Sequence, residues 1–273
     1  MNVFANRWLR WLAWFLVASL FAVACVFLAS WQFDRREQAV SKIERMVQNY
    51  DQPAISYDKV AEQEPDSIVN LEWHPVVLEG SYLPEKALLV RNRPIASSPG
   101  FIQIIPFELR SGELVLIERG WIPADSNLEP ARSFIPSSEM KEVIGRIKLS
   151  ELTPNRDSPD GYITSIKLDE IDELLNLPIE QNFYLRLVQE SPSEPELPQA
   201  LSRPILDEGN HLSYAVQWIL FAIMGFFALI WAIRQELIYR RIEKDPSYSP
   251  GHSKKRLTDG DIEDQILDSN SIR

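Results

Sequence analysis

Two stretches of this chain stay uncharged for longer than a buried core helix ordinarily does: Trp11–Phe33, 23 residues, and Leu212–Ile233, 22 residues. About 20 apolar residues at 1.5 Å rise cross the hydrocarbon core of a bilayer, so both runs are long enough to span one. Aromatics, which favour the headgroup level, bracket both. Trp8, Trp11 and Trp14 stand at the start of the first and Trp31 at its end. Tyr214 and Trp218 open the second, and Trp231 and Tyr239 close it. A cleaved signal is the rival reading for the first run, with Arg7 and Arg10 as its basic region and Ala22-Val23-Ala24-Cys25 as a weak lipoprotein box. A signal's apolar region is typically about 7–15 residues and gives way to polar sequence, whereas this run continues past Cys25 to Phe33. Cys25 then reads as lipid-facing or helix-packing filler.

These runs divide the chain into a cytoplasmic N-terminus (1–10), a first transmembrane helix (11–33), a central domain (34–211), a second transmembrane helix (212–233) and a cytoplasmic tail (234–273). Orientation follows from the short flanks, because long domains translocate largely regardless of charge. Arg7 and Arg10 precede the first run, and Arg234, Arg240, Arg241 and Lys244 follow the second against Glu236 and Glu243. Both termini are expected in the cytoplasm and the central domain outside it. Asp34-Arg35-Arg36 is a mixed signal on the outer side.

The net charge of −11 comes from the centre: residues 34–211 carry −13, residues 1–33 carry +2, and residues 212–273 balance. Such acidity argues against nucleic acid, which needs clustered Lys and Arg to displace phosphate counterions. A single cysteine excludes an internal disulfide, a CxxC redox pair, a CxxCH haem attachment and a Cys-rich zinc site. Four Met and three His, at 74, 211 and 252, offer neither a copper-type Met site nor a His cluster.

Gln38–Asn49 carries Ala39/Val40, Ile43, Met46 and Val47 on one stripe and continues the first span as a helix. Residues 51–72 read as a Pro-interrupted loop with one helical turn near Tyr57–Glu62. Short β-type runs follow at 76–78, 87–90, 101–107, 114–121, 143–149, 162–168 and 183–188, with a hairpin turn at Arg110-Ser111-Gly112. Asp169 is placed to cap a short helix, 170–177, ended by Pro178. About seven short strands predict an extracytoplasmic, mainly antiparallel β-rich α+β domain closed into a small barrel or sandwich. Four Pro between Ser191 and Pro204 suggest an extended tether back to the membrane, and the polar tail beyond Pro246 reads as disordered.

No GxSxG, GxGxxG, P-loop or HExxH pattern occurs, so a membrane-anchored enzyme has no motif behind it. Arg119-Gly120-Trp121 ends a strand and reads either as a Gly-marked bend with a packed Trp and a surface Arg, or, with Arg91 and Arg93, as cations converging on an anionic group. His74 precedes a β run and reads as structural. His211, Tyr214, Ala215 and Trp218 fall at i, i+3, i+4 and i+7 on one helix face. Residue chemistry alone favours interfacial anchoring for this group, since belt Tyr and Trp are common. The sharper reading is an axial haem ligand, neutral imidazole being competent to bind iron beside aromatics.

Several of these pieces together resemble the Surfeit-locus protein family of cytochrome c oxidase assembly factors. They are Trp31-Gln32-Phe33-Asp34-Arg35, Gly80-Ser81-Tyr82, Leu88-Leu89-Val90-Arg91-Asn92-Arg93, Pro99-Gly100-Phe101 through Pro106, and Glu118-Arg119-Gly120-Trp121-Ile122-Pro123. Asn210-His211-Leu212-Ser213-Tyr214-Ala215-Val216-Gln217-Trp218 completes the set. The match runs in order over roughly residues 10–240. It implies a respiratory-chain assembly role in a bacterial inner membrane with a periplasmic central domain, near the step at which haem a enters the haem-carrying oxidase subunit. It implies that subunit and enzymes of haem a synthesis as partners, with haem a held transiently and no catalysis. His211 matches the family's favoured iron ligand. Tyr214 and Trp218 could line a haem face, and Arg119 and Trp121 match an RGW motif whose role is binding or architectural. A protein-only scaffold for the nascent subunit is the alternative.

Overall fold

The structure, a computed structural model, describes residues 7–153, 159 and 161–245. The expected disordered tail lies outside them. The described chain forms two compact units, one of residues up to Arg36 together with those from Gly209 onward, the other Glu37–Glu208.

The first unit is a pair of helices long and apolar enough to cross a membrane, the opening part of α1 (Arg7–Asn49) and α5 (His211–Lys244). As expected, α1 runs unbroken past the apolar stretch to Asn49. The helices lie antiparallel. Gln32 meets His211, the Phe21 ring lies against Gly225, and Trp11 meets Glu236. Along α1, Phe21, Cys25, Ala29 and Gln32 recur at helical spacing, and Cys25 and Ala29 are buried. Along α5, His211, Ala215, Trp218 and Gly225 form the facing stripe, with Ala215 fully buried. Cys25 therefore packs a helix seam rather than facing lipid. Small residues let two backbones approach where apolar surroundings give no hydrophobic drive to associate. The opposite faces leave Val17, Leu20, Phe27, Ile223 and Phe227 exposed.

The second unit is a β domain. Its eight strands are β1 (Ile55–Ser56), β2 (Pro75–Tyr82), β3 (Leu88–Val90), β4 (Gly100–Leu109), β5 (Leu114–Pro123), β6 (Lys141–Leu149), β7 (Tyr162–Ile163) and β8 (Phe183–Ser191). They hydrogen-bond in the order β1-β2-β6-β8-β5-β4-β3-β7, and a further β2–β4 pairing closes β2, β6, β8, β5 and β4 into a barrel. Five pairings are antiparallel and three parallel, so the sheet is mainly antiparallel. Closure leaves these five strands without a free edge, while β1 and, through β3, β7 extend the sheet beyond the ring.

Long apolar runs in β4 and β5 arise because both faces are covered. Ile105, Phe107, Val115 and Ile117 point into the barrel interior with Val76, Leu78 and Phe183. Their neighbours Ile102, Ile104, Leu114 and Leu116 pack outward against α4 (Leu168–Leu175) through Leu168, Ile171 and Leu175. The helical turn expected near Tyr57 is present as α2 (Tyr57–Ala61), and Tyr57 and Val60 plug the barrel core. A second single turn, α3 (Pro65–Ile68), contributes Ile68 to that core.

Three expectations change. The run at 162–168 pairs only at Tyr162–Ile163, because Leu168 already begins α4. The N-cap of α4 is Lys167, not Asp169, and its first free amide is satisfied from a neighbouring strand end, Leu168 N–H donating to Ser150 Oγ at 3.1 Å. The Pro-rich segment after β8 is pinned as well as extended: Gln199 and Trp121 exchange backbone hydrogen bonds at 2.8 and 2.9 Å.

Barrel closure hinges on one close approach. At Gly80 a Cβ would overlap the Glu108 carbonyl of β4 and the Phe107 ring. Gly80→Ala is therefore expected to destabilise the chain by at least about 2 kcal/mol, the cost of overpacking against backbone that cannot yield. Thermal unfolding compared with the wild type measures it, and an unchanged midpoint would show that the β2–β4 contact is slack.

Candidate functional site

The sequence-derived candidates fall into two groups, one in each unit. In the helical unit, His211 is the first residue of α5 and is partly exposed. Its Nδ1 lies 2.9 Å from Gln32 Oε1 on α1. An amide oxygen only accepts, so Nδ1 is the donor, and in the neutral form of the ring the lone pair then lies on Nε2. The Nε2 edge meets no side chain from Gly209, where a Cβ would stand 3.4 Å from Nε2. Gly209 also takes φ +71, a left-handed backbone that favours glycine. Ala215 and Trp218 share the seam stripe with His211, and Trp218 packs edge-on against Phe221 at 5.7 Å. Tyr214 turns outward and is half exposed. In its neutral form an imidazole oriented in this way can offer Nε2 to a metal.

Gln32 is the residue that local reading missed. It stands in the Trp31–Arg35 motif, but the sequence signal was only its place there. Its partner lies 179 residues away and cannot be found by spacing. At the other end of the pair, Glu236 accepts hydrogen bonds from Trp11 Nε1 at 2.8 Å and from Arg240 Nε at 3.1 Å, and is also salt-bridged by Arg10.

Arg119 and Trp121 belong to the β unit. The β4–β5 register passes from Ile104↔Glu118 to Gln103↔Gly120, so Arg119 is the extra residue of a β-bulge. A bulge re-aims the side chain it carries. Arg119 is accordingly buried rather than on the surface, its side chain wholly covered. Nη1 donates to Gln103 Oε1 at 3.1 Å and to the Phe134 carbonyl at 3.3 Å, Nη2 lies 3.6 Å from Glu190, and the guanidinium sits 5.0 Å from the Tyr82 ring centroid. The anion that Arg119 faces is thus internal. Tyr82 donates to Glu190 at 2.9 Å, and burial, with the Glu190 charge beside it, raises its hydroxyl pKa well above the ordinary value. Gly120 is required by close approach, since a Cβ there would press on the Gln199 carbonyl. Trp121 donates from Nε1 to the Arg93 carbonyl at 2.6 Å and covers Gly100, where a Cβ would collide with its indole. Arg93 pairs with Glu151 at 2.6 Å, and Arg91 lies over the Tyr162 ring. Arg119 Nη1, Arg93 Nη2 and Trp121 Nε1 are thus directed at protein partners, whereas Arg93 Nε and Arg119 Nε and Nη2 are buried without a hydrogen bond among the described residues. His74 likewise contacts backbone, its Nδ1 2.9 Å from the Pro75 carbonyl.

The SURF1 family pattern matches residues 19–223, three quarters of the chain. The chain belongs to the SURF1 family. SURF1-like proteins of Mycobacterium bovis and Mycobacterium tuberculosis are 27% identical over 250 residues, covering 88% of this chain and 89% of each relative. One from Rickettsia bellii is 26% identical over 230 residues, covering 80% of this chain and 89% of that protein. The SURF1 family is generally linked to cytochrome c oxidase assembly. The matched span takes in part of each long helix, including Gln32 and His211, and the whole barrel.

The polar cluster continues from Glu190 to Glu194, whose pKa lies near 2 instead of 4.5. Burial alone would raise it. Hydrogen bonds from the Ser137 amide and hydroxyl, each 2.8 Å, and Lys141 Nζ at 3.0 Å outweigh that. A depressed folded pKa contributes stability that is complete above pH 4.5 and lost as pH falls towards 2. Glu194→Gln is expected to lose roughly 1 kcal/mol at neutral pH, solvent screening reducing what the shift alone implies. The gap between variant and wild-type unfolding midpoints should close below pH 4.5, and a gap constant down to pH 2 would contradict it.

Proposed function

We propose that this chain is a membrane-anchored assembly factor for cytochrome c oxidase that binds haem a, as cargo and not as a resident cofactor, through Nε2 of His211. Its partner is the haem-carrying oxidase subunit, with enzymes of haem a synthesis upstream. The observation that supports this reading is the Gln32–His211 hydrogen bond at 2.9 Å, which uses Nδ1 and so makes Nε2 the lone-pair nitrogen of the neutral ring. Haem a supplies an iron with axial positions for such a nitrogen. Everything else in the site is the chain's own work: Gln32 fixes the tautomer and the ring angle, and Gly209 keeps the Nε2 edge clear. Exposed Tyr214 and partly exposed Trp218 offer flat apolar surface beside it. One ligand on a partly exposed residue suits a carrier, whose site must release what it holds. Only the nitrogen–iron coordination bond would form and break, and no covalent bond of the cargo changes, so the role is binding, not catalysis.

In the accompanying topology both termini lie in the cytoplasm and residues 34–211 in the periplasm of a bacterial inner membrane. Basic flanks at Arg10 and at Arg240, Arg241 and Lys244 support it. A reporter fused after Ile233 is expected to be active only in the cytoplasm, and periplasmic activity there would reverse the orientation.

Protein purified from cells able to make haem a should show Soret and α absorption bands. His211→Ala should abolish them with the thermal unfolding midpoint preserved, and Gln32→Leu should weaken haem affinity by about 10–100-fold. Normal oxidase assembly in cells carrying His211→Ala would sink the haem reading and leave the protein-only scaffold.

A further inference from the structure

The β unit carries a groove of about 840 Å³ that neither the family match nor the haem reading uses. One wall is the end of α1, Ala39–Met46, and the facing rim is Pro204–Asp207. Lys42 and Arg45 stand three residues apart on α1 and so share a face. Neither forms an ion pair among the described residues, and Arg45 Nε is buried without a hydrogen-bond partner. Lys148, a third cation in the groove, is paired with Glu72 at 2.7 Å and lies 3.9 Å from the Trp73 ring centroid. Asp207 is the other carboxylate of the lining and has interactions of its own. Beside these charges stand apolar side chains almost wholly in solvent, Leu152 at 93% and Ile205 at 92% exposure, with Leu206 half exposed.

Unpaired cations next to bare aliphatic side chains favour an occupant that is anionic at one end and apolar at the other. Sequence adjacency narrows the class. Ala39 follows the uncharged run ending at Phe33 by six residues, and Leu206 precedes the run opening at Leu212 by six. Both groove walls are thus built from the chain segments that lead into and out of the apolar helices, where headgroups are the abundant amphiphile. Lys and Arg near a membrane surface gain about fivefold in affinity each for anionic lipid. We propose that this groove binds an anionic phospholipid, its phosphate between Lys42 and Arg45 and its upper acyl chain against Leu152 and Ile205. The proposal rests on the membrane-spanning part of the reading above and not on haem binding.

The full chain in detergent is titrated with dihexanoyl-phosphatidylglycerol, dihexanoyl-phosphatidylcholine and inorganic phosphate, following the thermal midpoint. Phosphatidylglycerol alone should raise it in a saturable way. Lys42→Gln/Arg45→Gln should weaken that apparent affinity by roughly 25-fold, and Ile205→Ser/Leu152→Ser should weaken it with both charges intact. Equal effects of the two lipids, an equal effect of inorganic phosphate, or an undiminished response in the double charge variant would each overturn the proposal. Carbonate-resistant membrane association of wild type and variants is scored in parallel. Its loss in the wild type would count against the spanning helices themselves, whereas a failed lipid response with association intact counts against the groove alone.

Discussion

Two uncharged helical surfaces that water cannot solvate set the terms for the helical unit. A helix satisfies its own backbone, so an apolar helix can leave water without stranding polar groups. Once in an apolar surrounding, however, it gains nothing hydrophobic from a neighbour, and association must come from close packing and a few polar bonds. The α1/α5 seam has both. Cys25, Ala29, Ala215 and Gly225 keep side chains small along the contact, and polar pairs close it at either end, Gln32–His211 and Trp11/Arg10–Glu236. The seam fixes helix rotation. A turn of either helix by one residue, about 100°, would carry His211 away from Gln32 and with it the free Nε2.

The β unit solves a different problem, a cation held inside. Taking Arg119 out of water costs several kcal/mol, and its attraction to Glu190 offsets that only because Gln103, the Phe134 carbonyl and the Tyr82 ring share the guanidinium. Such a cluster does little for net stability compared with an apolar core. It does tie down several chain segments at once: Phe134 from the irregular stretch after β5, Tyr82 from the closing strand, and Glu190 from β8. Glu190 then accepts the Glu194 amide, and Glu194 accepts from Ser137, so the loop after β5 is anchored to the chain that leaves β8. Removing one partner leaves the other charge buried and unpaired, which is the costly event.

What could be read from the residues alone follows the range of the interactions involved. The apolar helices, the turn at Tyr57 and most strands are local patterns, and they stand where periodicity puts them. Arg119 looked like a surface cation because its partner is not local: the adjacent Glu118, itself buried, pairs with Arg186. Glu190 is 71 positions away, and the bulge that turns the side chain inward is a property of strand pairing. The cap of α4 escaped for a similar reason, since Ser150 reaches it from another element. Tyr162–Ile163 was overextended because a run of β-type residues does not reveal where pairing gives way to a helix. The parallel β5–β8 contact and the β2–β4 closure are likewise matters of topology. His211 was legible as a candidate, but its tautomer was not, because Gln32 arrives from the other helix.

That second residue bears on what kind of ligand His211 could be. Histidines that hold a resident metal commonly give their second ring proton to a carboxylate, which makes the imidazole more basic and the grip tighter. Here the acceptor is an amide. It orients the ring equally well but adds no charge, so it strengthens the metal-binding nitrogen less. It is also cheaper to keep at an apolar edge, where an unpaired carboxylate would be strongly disfavoured. Orientation without added basicity is what a carrier requires: a nitrogen that finds the iron in one geometry and yields it to a better-equipped site. On the proposed role, Gln32→Glu should therefore tighten binding and impair hand-over, an outcome opposite in sign to that of Gln32→Leu on affinity.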